Sequence, residues 1–150
     1  KLIVGIEQDV TEHKKAEEAL KKSEERFRFV AEAANVMVYE TDVITGKIKI
    51  FRGSEELVGY KPNEIDFTLD WVLNRMHPDD APNVLAQLKS TIENQNLEKY
   101  SLEYRFLHKN GQYITVKDTA KAVRDSAGKT IYFIGGRHDI TQRKKDKEKI

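Results

Sequence analysis

The strongest constraint on the fold lies between residues 100 and 140, where apolar positions and turn residues follow the pattern of an antiparallel sheet. Apolar residues occupy every second position from Tyr100 to Phe106, which predicts a strand with one buried and one solvent-facing side. Asn110-Gly111 is typical of a two-residue hairpin, and a second turn is predicted at residues 125–128. The segment therefore predicts three consecutive antiparallel strands, at residues 100–106, 112–123 and 129–140.

Two shorter strands are predicted upstream, near residues 36–42 and 47–52, with Gly46 in the left-handed position of the turn between them. Short helices follow, the longest of them with an apolar face from Val84 to Ile92. This order predicts an α+β domain with a five-stranded antiparallel sheet and helices inserted between strands 2 and 3. Connector helices are predicted at its N- and C-terminal ends.

The sequence His77-Pro78-Asp79-Asp80 places a histidine and two carboxylates within four residues, just before the longest internal helix. A metal site or a small hydrolase centre could be built from such groups. Capping of the helix by Asp79 or Asp80 is the favoured interpretation, because Pro82 suits a first helical turn. The other histidines are scattered, so we predict no metal site and no catalytic residues.

Residues 11–34 carry the heptad spacing of a coiled coil. Two interpretations remain open for this helix: it forms the seam of a homodimer, which we favour, or it lies on its own domain. The positions that recur at alternating steps of four and three are Ala16, Leu20, Ser23, Phe27, Val30 and Ala34.

A repeat joins the two ends of the chain. Residues 4–11 read Val-Gly-Ile-Glu-Gln-Asp-Val-Thr and align without gaps with residues 134–141, Ile-Gly-Gly-Arg-His-Asp-Ile-Thr. Both copies continue into a charged segment that contains Lys-Lys. We interpret the repeat as the strand-to-helix junction that ends a module, so residues 1–10 are predicted to be the last strand of a preceding module.

Composition excludes several classes of function. A net charge of +1 gives no reason to expect nucleic acid or a membrane surface as a partner. The absence of cysteine excludes disulfides and thiolate metal sites, and it suits a reducing, cytoplasmic compartment. No apolar run approaches the length of about 20 residues that spans a bilayer, although a parent protein could be anchored elsewhere.

In the order and spacing of its motifs, the chain resembles a PAS domain with a PAC extension, as found in sensor histidine kinases. The resemblance rests on Trp71 to Asp80, on Glu103-Tyr104-Arg105, on the turns at Asn110-Gly111 and 125–128, and on Gly135-Gly136 running to Asp139-Ile140-Thr141. It implies a connector helix at 11–34, a PAS/PAC domain at 35–141 and the start of an output helix at 142–150. The fragment itself is then a sensor, not an enzyme.

Asp139 and Thr141 are the first candidates for a functional role. A carboxylate and a hydroxyl at a strand-to-helix junction can accept hydrogen bonds from the first amides of the helix. The resemblance implies that this junction transmits the signal, and the repeat extends the same role to Asp9 and Thr11.

The resemblance also implies a small ligand cavity between the sheet and the helices. Its candidate lining residues are Val38, Ile50, Trp71, Met76, Leu88, Tyr104, Phe106, Val116 and Ile134. These large side chains could equally fill a closed core. No cofactor is assigned: a cysteinyl-flavin adduct and a thioester-linked chromophore both need cysteine, and haem needs an axial histidine on the long helix, where His77 is only a neighbour.

The predicted function is a sensory or relay module that passes a ligand- or partner-induced change of the sheet to the C-terminal helix. Its expected partners are a second copy through the N-terminal helix, neighbouring PAS or kinase domains, and a small-molecule ligand. The alternatives are a ligand-free dimerisation scaffold and a PAS module of a cyclic-dinucleotide enzyme.

Overall fold

A computed structural model describes the backbone of residues 2–148 and the side chains of residues 9–148. The chain divides into two compact units, one ending at Ala34 and the other beginning at Asn35. The first unit is a single helix, α1 (Leu2–Ala33). Within residues 2–148, no helix combines the length and the apolar character that crossing a membrane requires.

The second unit is built on one antiparallel sheet, which confirms the predicted fold class. Its strands are β1 (Met37–Asp42), β2 (Ile48–Arg52), β3 (Lys99–Leu107), β4 (Tyr113–Arg124) and β5 (Thr130–Asp139). They lie side by side in the order β2-β1-β5-β4-β3, so the last strand in sequence occupies the centre. The helix after β5 is α5 (Thr141–Glu148).

Three helices lie between β2 and β3 in the sequence, as predicted: α2 (Ser54–Val58), α3 (Leu69–Arg75) and α4 (Ala81–Glu93). Thr68 caps α3 by accepting a hydrogen bond from the Trp71 amide at 3.1 Å. Gly59 ends α2 in the left-handed conformation, at φ 87°. The N-cap of α2 is Gly53. Ser54 is the first helical residue, and its buried hydroxyl forms no hydrogen bond within the described chain.

Asp80 is the N-cap residue of α4, and its side chain anchors the helix to β3. Its side chain makes no cap hydrogen bond, and its carboxylate accepts hydrogen bonds from the Arg105 amide at 2.8 Å and from Arg105 Nε and Nη2 at 2.9 Å. The hydrogen bonds from Arg105 lower the pKa of Asp80. The predicted N-cap position of Asp80 is therefore confirmed, and its predicted cap hydrogen bond is corrected to an ion pair with β3. In the described part of the chain, no group of three or more metal-ligating side chains is present.

Alternation places one row of each strand in the core. In β3 the predicted apolar row is found: Tyr104 and Phe106 are 2% and 3% exposed, and Arg105 between them pairs with Asp80. In β1 the core row is Met37 and Tyr39. The sheet packs its core face against the helices between β2 and β3, and this packing defines the space in which the candidate site lies.

Residues 2–10 form the first turns of α1, which corrects the strand predicted there. A lone strand leaves its backbone groups unpaired, whereas a helix satisfies them internally, so helix is favoured for a segment without a partner strand. The assignment of this segment to a preceding module stays a prediction.

Candidate functional site

A small cavity lies between the core face of the sheet and helices α3 and α4. It encloses about 50 Å³ that the centre of a water molecule can reach. Its wall is apolar except for a threonine and for one corner, where tyrosine, aspartate and arginine side chains come together. The lining residues are Thr41, Val43, Leu69, Val72, Met76, Val84, Leu88, Ile92, Tyr100, Asp118, Phe133 and Arg137.

A buried ion pair forms the polar corner of the cavity. Asp118 in β4 and Arg137 in β5 are direct cross-strand partners, and Arg137 Nε donates to Asp118 Oδ2 at 3.0 Å. The two residues are only 3% and 6% exposed. Charges this deeply buried are costly unless they are paired and hydrogen-bonded, so the pair must be held in a defined geometry.

Two tyrosines donate further hydrogen bonds to the Asp118 carboxylate. Tyr39 donates to Oδ1 at 2.5 Å and Tyr104 donates to Oδ2 at 2.8 Å, while the Tyr39 and Tyr100 hydroxyls are 3.2 Å apart. The Arg137 guanidinium carbon lies 4.1 Å from the centre of the Tyr39 ring, within cation–π distance. We call these five residues, Tyr39, Tyr100, Tyr104, Asp118 and Arg137, the buried polar cluster.

Burial raises the pKa of all three tyrosines in the buried polar cluster, because the interior disfavours a phenolate. The adjacent negative charge of Asp118 raises the pKa of each of them further. The hydroxyls therefore stay protonated and act as hydrogen-bond donors over the physiological range.

The glycine at position 135 makes room for the cluster. A Cβ atom built on Gly135 would lie 2.5 Å from Tyr39 Oη and 2.9 Å from Ala120 Cβ. Tyr39 and Gly135 are cross-strand partners. The Tyr39 ring therefore crosses over β5 at Gly135, where no side chain blocks it, and its hydroxyl reaches Asp118 in β4. Any side chain at this position would displace Tyr39.

The strand-to-helix junction is fixed by side-chain hydrogen bonds. Asp139 Oδ1 accepts from the Thr141 amide at 2.8 Å and also from the Thr141 hydroxyl. Thr141 Oγ1 in turn accepts from the Thr115 amide at 2.9 Å, and the Ile140 amide donates to the Thr115 carbonyl at 2.8 Å. The first turn of α5 is thereby attached to both β5 and β4.

A salt bridge provides a second attachment of α5 to the sheet. Lys144 Nζ lies 2.8 Å from Glu103 Oε1, and this lysine lowers the pKa of Glu103. Since Glu103 belongs to β3, the helix contacts three strands within its first turns.

Asp9 and Thr11 occupy a different environment from their counterparts in the repeat. Both lie inside the continuous helix α1, where no strand-to-helix junction exists. The bend that connects Asp139 with Thr141 is therefore not present at Asp9 and Thr11, and their role in transmission stays a prediction.

Two of the nine predicted cavity residues, Met76 and Leu88, line the cavity. Five others belong to the core beside it: Ile50, Trp71, Tyr104, Phe106 and Val116. Trp71 packs against the rings of Tyr60 and Phe67, with centroids 5.3 and 5.1 Å away. The Trp71 ring is therefore part of the aromatic core beside the cavity.

Val38 and Ile134 were assigned to the wrong face of the sheet. Val38 stands between Met37 and Tyr39, both of which belong to the core, and neighbouring strand residues point to opposite faces. Ile134 is 43% exposed, whereas the preceding Phe133 is 2% exposed. An error of one residue in the alternation of each strand accounts for both.

The predicted lining residues do not include the polar corner, because charged residues within strands usually face solvent. A signal was present in the alternation. Asp118 occupies the same row as the buried residues Val116 and Ala120, and Arg137 occupies the row of Phe133. Each of these rows has another charge only at the end of its strand, at Arg124 and Asp139. A single charge in the interior of each of two otherwise apolar rows predicts a buried pair when the strands are neighbours.

Comparison with known proteins places this architecture among sensory modules. The sequence profile of the family described as the PAS fold matches residues 47–136. A region of 95 residues is 35% identical to the methyl sulfide methyltransferase-associated sensor of Methanosarcina acetivorans, covering 62% of this chain and 9% of that protein. The chain thus spans only a small part of that relative.

Two solved structures show the same fold over most of the chain. A sensory box histidine kinase/response regulator from Burkholderia thailandensis matches with a TM-score of 0.70 and 27% identity, over 82% of this chain and 90% of that chain. The N-terminal domain of a diguanylate cyclase with a PAS/PAC sensor, from Marinobacter aquaeolei, matches with a TM-score of 0.63 and 26% identity, over 72% and 97% of the two chains.

Proposed function

We propose that this chain, which belongs to the PAS family of sensory modules, passes ligand- or partner-induced changes of its sheet to the helix that follows β5. The module is sensory, and any catalytic activity belongs to other domains of the parent protein. For that parent we propose a cytoplasmic sensor histidine kinase, supported by the likeness to the Burkholderia structure. A cyclic-dinucleotide enzyme is the second candidate, supported by the likeness to the diguanylate cyclase domain.

The observation that carries the proposal is the short path from the cavity to the output helix. Arg137 lines the cavity, and Asp139 lies two residues further along β5. Asp139 is hydrogen-bonded to Thr141, the first residue of α5. A displacement of β5 at the cavity is therefore transmitted directly to α5, because no flexible linker separates the strand from the helix. A ligand shifts the signalling state by binding one arrangement of β5 more tightly than another.

Replacing Asp139 by alanine is expected to uncouple the module while leaving it folded. The variant loses the carboxylate that holds Thr141, at a cost of about 1 kcal/mol in the free energy of unfolding, comparable to loss of a helix cap. In the full-length parent, we expect the output activity to change by about fivefold or more, the usual range of coupling between sites. The measurement is the autophosphorylation rate, or the cyclase rate, of purified full-length protein.

Asp146→Ala is the matched control for this experiment. Asp146 also lies on α5, but among residues 9–148 its carboxylate accepts only from Gln142 on the same helix, at 3.0 Å. We expect this variant to keep the output of the wild-type protein. Unchanged output of Asp139→Ala, with thermal unfolding showing a folded domain, would contradict the role of the junction.

We further propose that the module forms a homodimer through α1. Leu20, Phe27 and Val30 occupy the seam of the heptad pattern, and they are 60%, 62% and 63% exposed in the single chain. Three large apolar side chains on one stripe of a helix favour association with a second copy of that stripe. In such a dimer, a change in one protomer could alter the position of both α5 helices.

Phe27→Glu tests the seam, and Phe29→Glu is its control. Both phenylalanines are exposed on α1, at 62% and 71%, but only Phe27 has a seam position. Since Phe27→Glu removes apolar burial and adds two like charges, we expect it to weaken dimerisation by about 100-fold. Sedimentation equilibrium measures the effect. A monomeric wild type, or equal weakening by both variants, would contradict the proposed dimer.

A further inference from the structure

The Arg137 guanidinium has hydrogen-bonding capacity that the protein does not use. Its Nε donates to Asp118, and no other described residue accepts a hydrogen bond from its two terminal nitrogens. The side chain is 8% exposed and lines the cavity. A buried guanidinium with unused N–H donors beside a cavity favours an acceptor within that cavity.

Two further polar side chains line the same cavity. Thr41 is 7% exposed and lines the cavity, and its hydroxyl makes no hydrogen bond with the described residues. The hydroxyl hydrogen of Tyr39 is used on Asp118, so Tyr100 is the donor in the contact between the two tyrosines. The Tyr100 oxygen therefore keeps a lone pair with which it can accept a hydrogen bond.

Charge balance decides which kind of acceptor fits. Asp118 already neutralises Arg137, and its carboxylate receives hydrogen bonds from Tyr39, Tyr104 and Arg137. An anionic ligand would add a second negative charge to a buried, neutral pair, and a cationic ligand would add a second positive one. Either would carry a large desolvation cost without a counter-ion.

Volume and the remaining wall restrict the ligand further. A water molecule needs roughly 10–15 Å³ of such space, so the cavity of about 50 Å³ accommodates about four non-hydrogen atoms. Opposite the polar corner the wall is formed by Val72, Val84 and Leu88. The part of the ligand that faces these side chains must be apolar.

From these observations we propose that the cavity binds a small uncharged molecule with a carbonyl or hydroxyl group and a short apolar part. The oxygen accepts from the terminal nitrogens of Arg137, the Thr41 hydroxyl of the same cavity wall forms a further hydrogen bond with the ligand, and the apolar part contacts the helices. This inference rests on the proposed sensory function and specifies the chemical class of its ligand.

Acetamide and acetate provide a matched pair of probes. They have the same size and shape, and they differ in charge. We expect acetamide to produce saturable chemical-shift changes at cavity residues in two-dimensional ¹H–¹⁵N spectra of the whole chain, with a dissociation constant on the order of millimolar for so small a molecule. Acetate, at the same ionic strength and pH, is expected to bind at least about tenfold more weakly because of the desolvation cost.

A pair of equivalent substitutions localises the binding. Thr41→Val keeps the shape of the side chain and removes its hydroxyl, and we expect it to weaken acetamide binding by about fivefold. Thr119→Val is the control, because its hydroxyl contacts Ser101 at 3.2 Å on the solvent-facing side of the sheet. We expect it to leave the affinity unchanged.

The outcomes separate this inference from the proposed function. Tighter or equal binding of acetate overturns the uncharged class of ligand and leaves a sensing cavity in place. Absence of saturable shifts with both probes overturns the ligand assignment altogether. In either case the Asp139→Ala experiment is unaffected, because it measures coupling at the junction and needs no ligand.

Discussion

Replacement of Arg137 by methionine is expected to lower the free energy of unfolding by about 3–5 kcal/mol, the range found when one partner of a buried ion pair is removed. Methionine fills much of the same volume, so the loss comes mainly from leaving the Asp118 carboxylate buried without a counter-ion. Tyr39 and Tyr104 still donate to that carboxylate, but neither supplies a positive charge. Urea denaturation followed by circular dichroism measures the change.

Two comparisons identify the cause of this loss. Lys121→Met removes a cation from the exposed side of β4 and is expected to change stability by less than about 0.5 kcal/mol. Asp118→Asn combined with Arg137→Met removes both charges, and it should recover a large part of the lost stability. A loss below about 1 kcal/mol for Arg137→Met alone would contradict the proposed cost of leaving Asp118 without its buried partner.

Alkaline pH is expected to destabilise the protein steeply, by about 4 kcal/mol per pH unit above pH 10 for the three tyrosines of the buried polar cluster together. The pKa values of Tyr39, Tyr100 and Tyr104 are raised in the folded state, with burial as the main cause. Their contribution is complete below the unfolded pKa, near pH 10. It is lost as pH rises toward the folded pKa values, because the unfolded chain releases protons that the folded chain retains.

Denaturation series between pH 9 and 11 test this slope. The chain has six tyrosines, so about half of the tyrosinate absorbance is expected to appear only as the protein unfolds. Tyr104→Phe should reduce the slope by about one third. Tyr113→Phe is the control, since it removes a 45% exposed tyrosine that lies outside the buried polar cluster. Equal slopes for the wild type and Tyr104→Phe would contradict the assignment.

The strands could be predicted from sequence because their signals are local. Alternation from Tyr100 to Phe106 and the turn at Asn110-Gly111 depend only on neighbouring residues, and the structure has β3, the turn and β4 at those positions. Which residues of a strand face the core is harder to predict, because a shift of one residue exchanges the buried and the exposed side. In β1 and β5 the apolar residues occur on both faces, so Val38 and Ile134 could not be separated from the core row by hydrophobicity alone.

The polar part of the site is harder to predict from sequence, because it depends on which strands are neighbours in the sheet. Asp118 and Arg137 are 19 residues apart in the sequence, and their partnership follows only from the pairing of β4 with β5. The junction was easier to predict, since Asp139 and Thr141 are two residues apart and act on a local turn. Sequence reasoning therefore identified the helix connection and missed the cavity's charged corner.

The terminal repeat shows how context decides between a strand and a helix. Residues 4–11 and 134–141 have closely similar sequences, yet the first copy is helical and the second is mostly strand. Residues 134–139 pair with β1 and β4, which satisfy their backbone groups. The first copy satisfies its groups along its own helix, so the sequence alone does not determine the conformation.

The cross-strand position of the ion pair also determines how β4 and β5 can align. If β5 slipped by one residue against β4, Arg137 would turn to the opposite face, and Asp118 would stand alone among apolar side chains. A slip of two residues would restore the face but separate the charges along the strands. Only one register of β5 against β4 pairs both charged groups. The ion pair therefore favours this register over shifted ones, even if it adds little to the net free energy of folding.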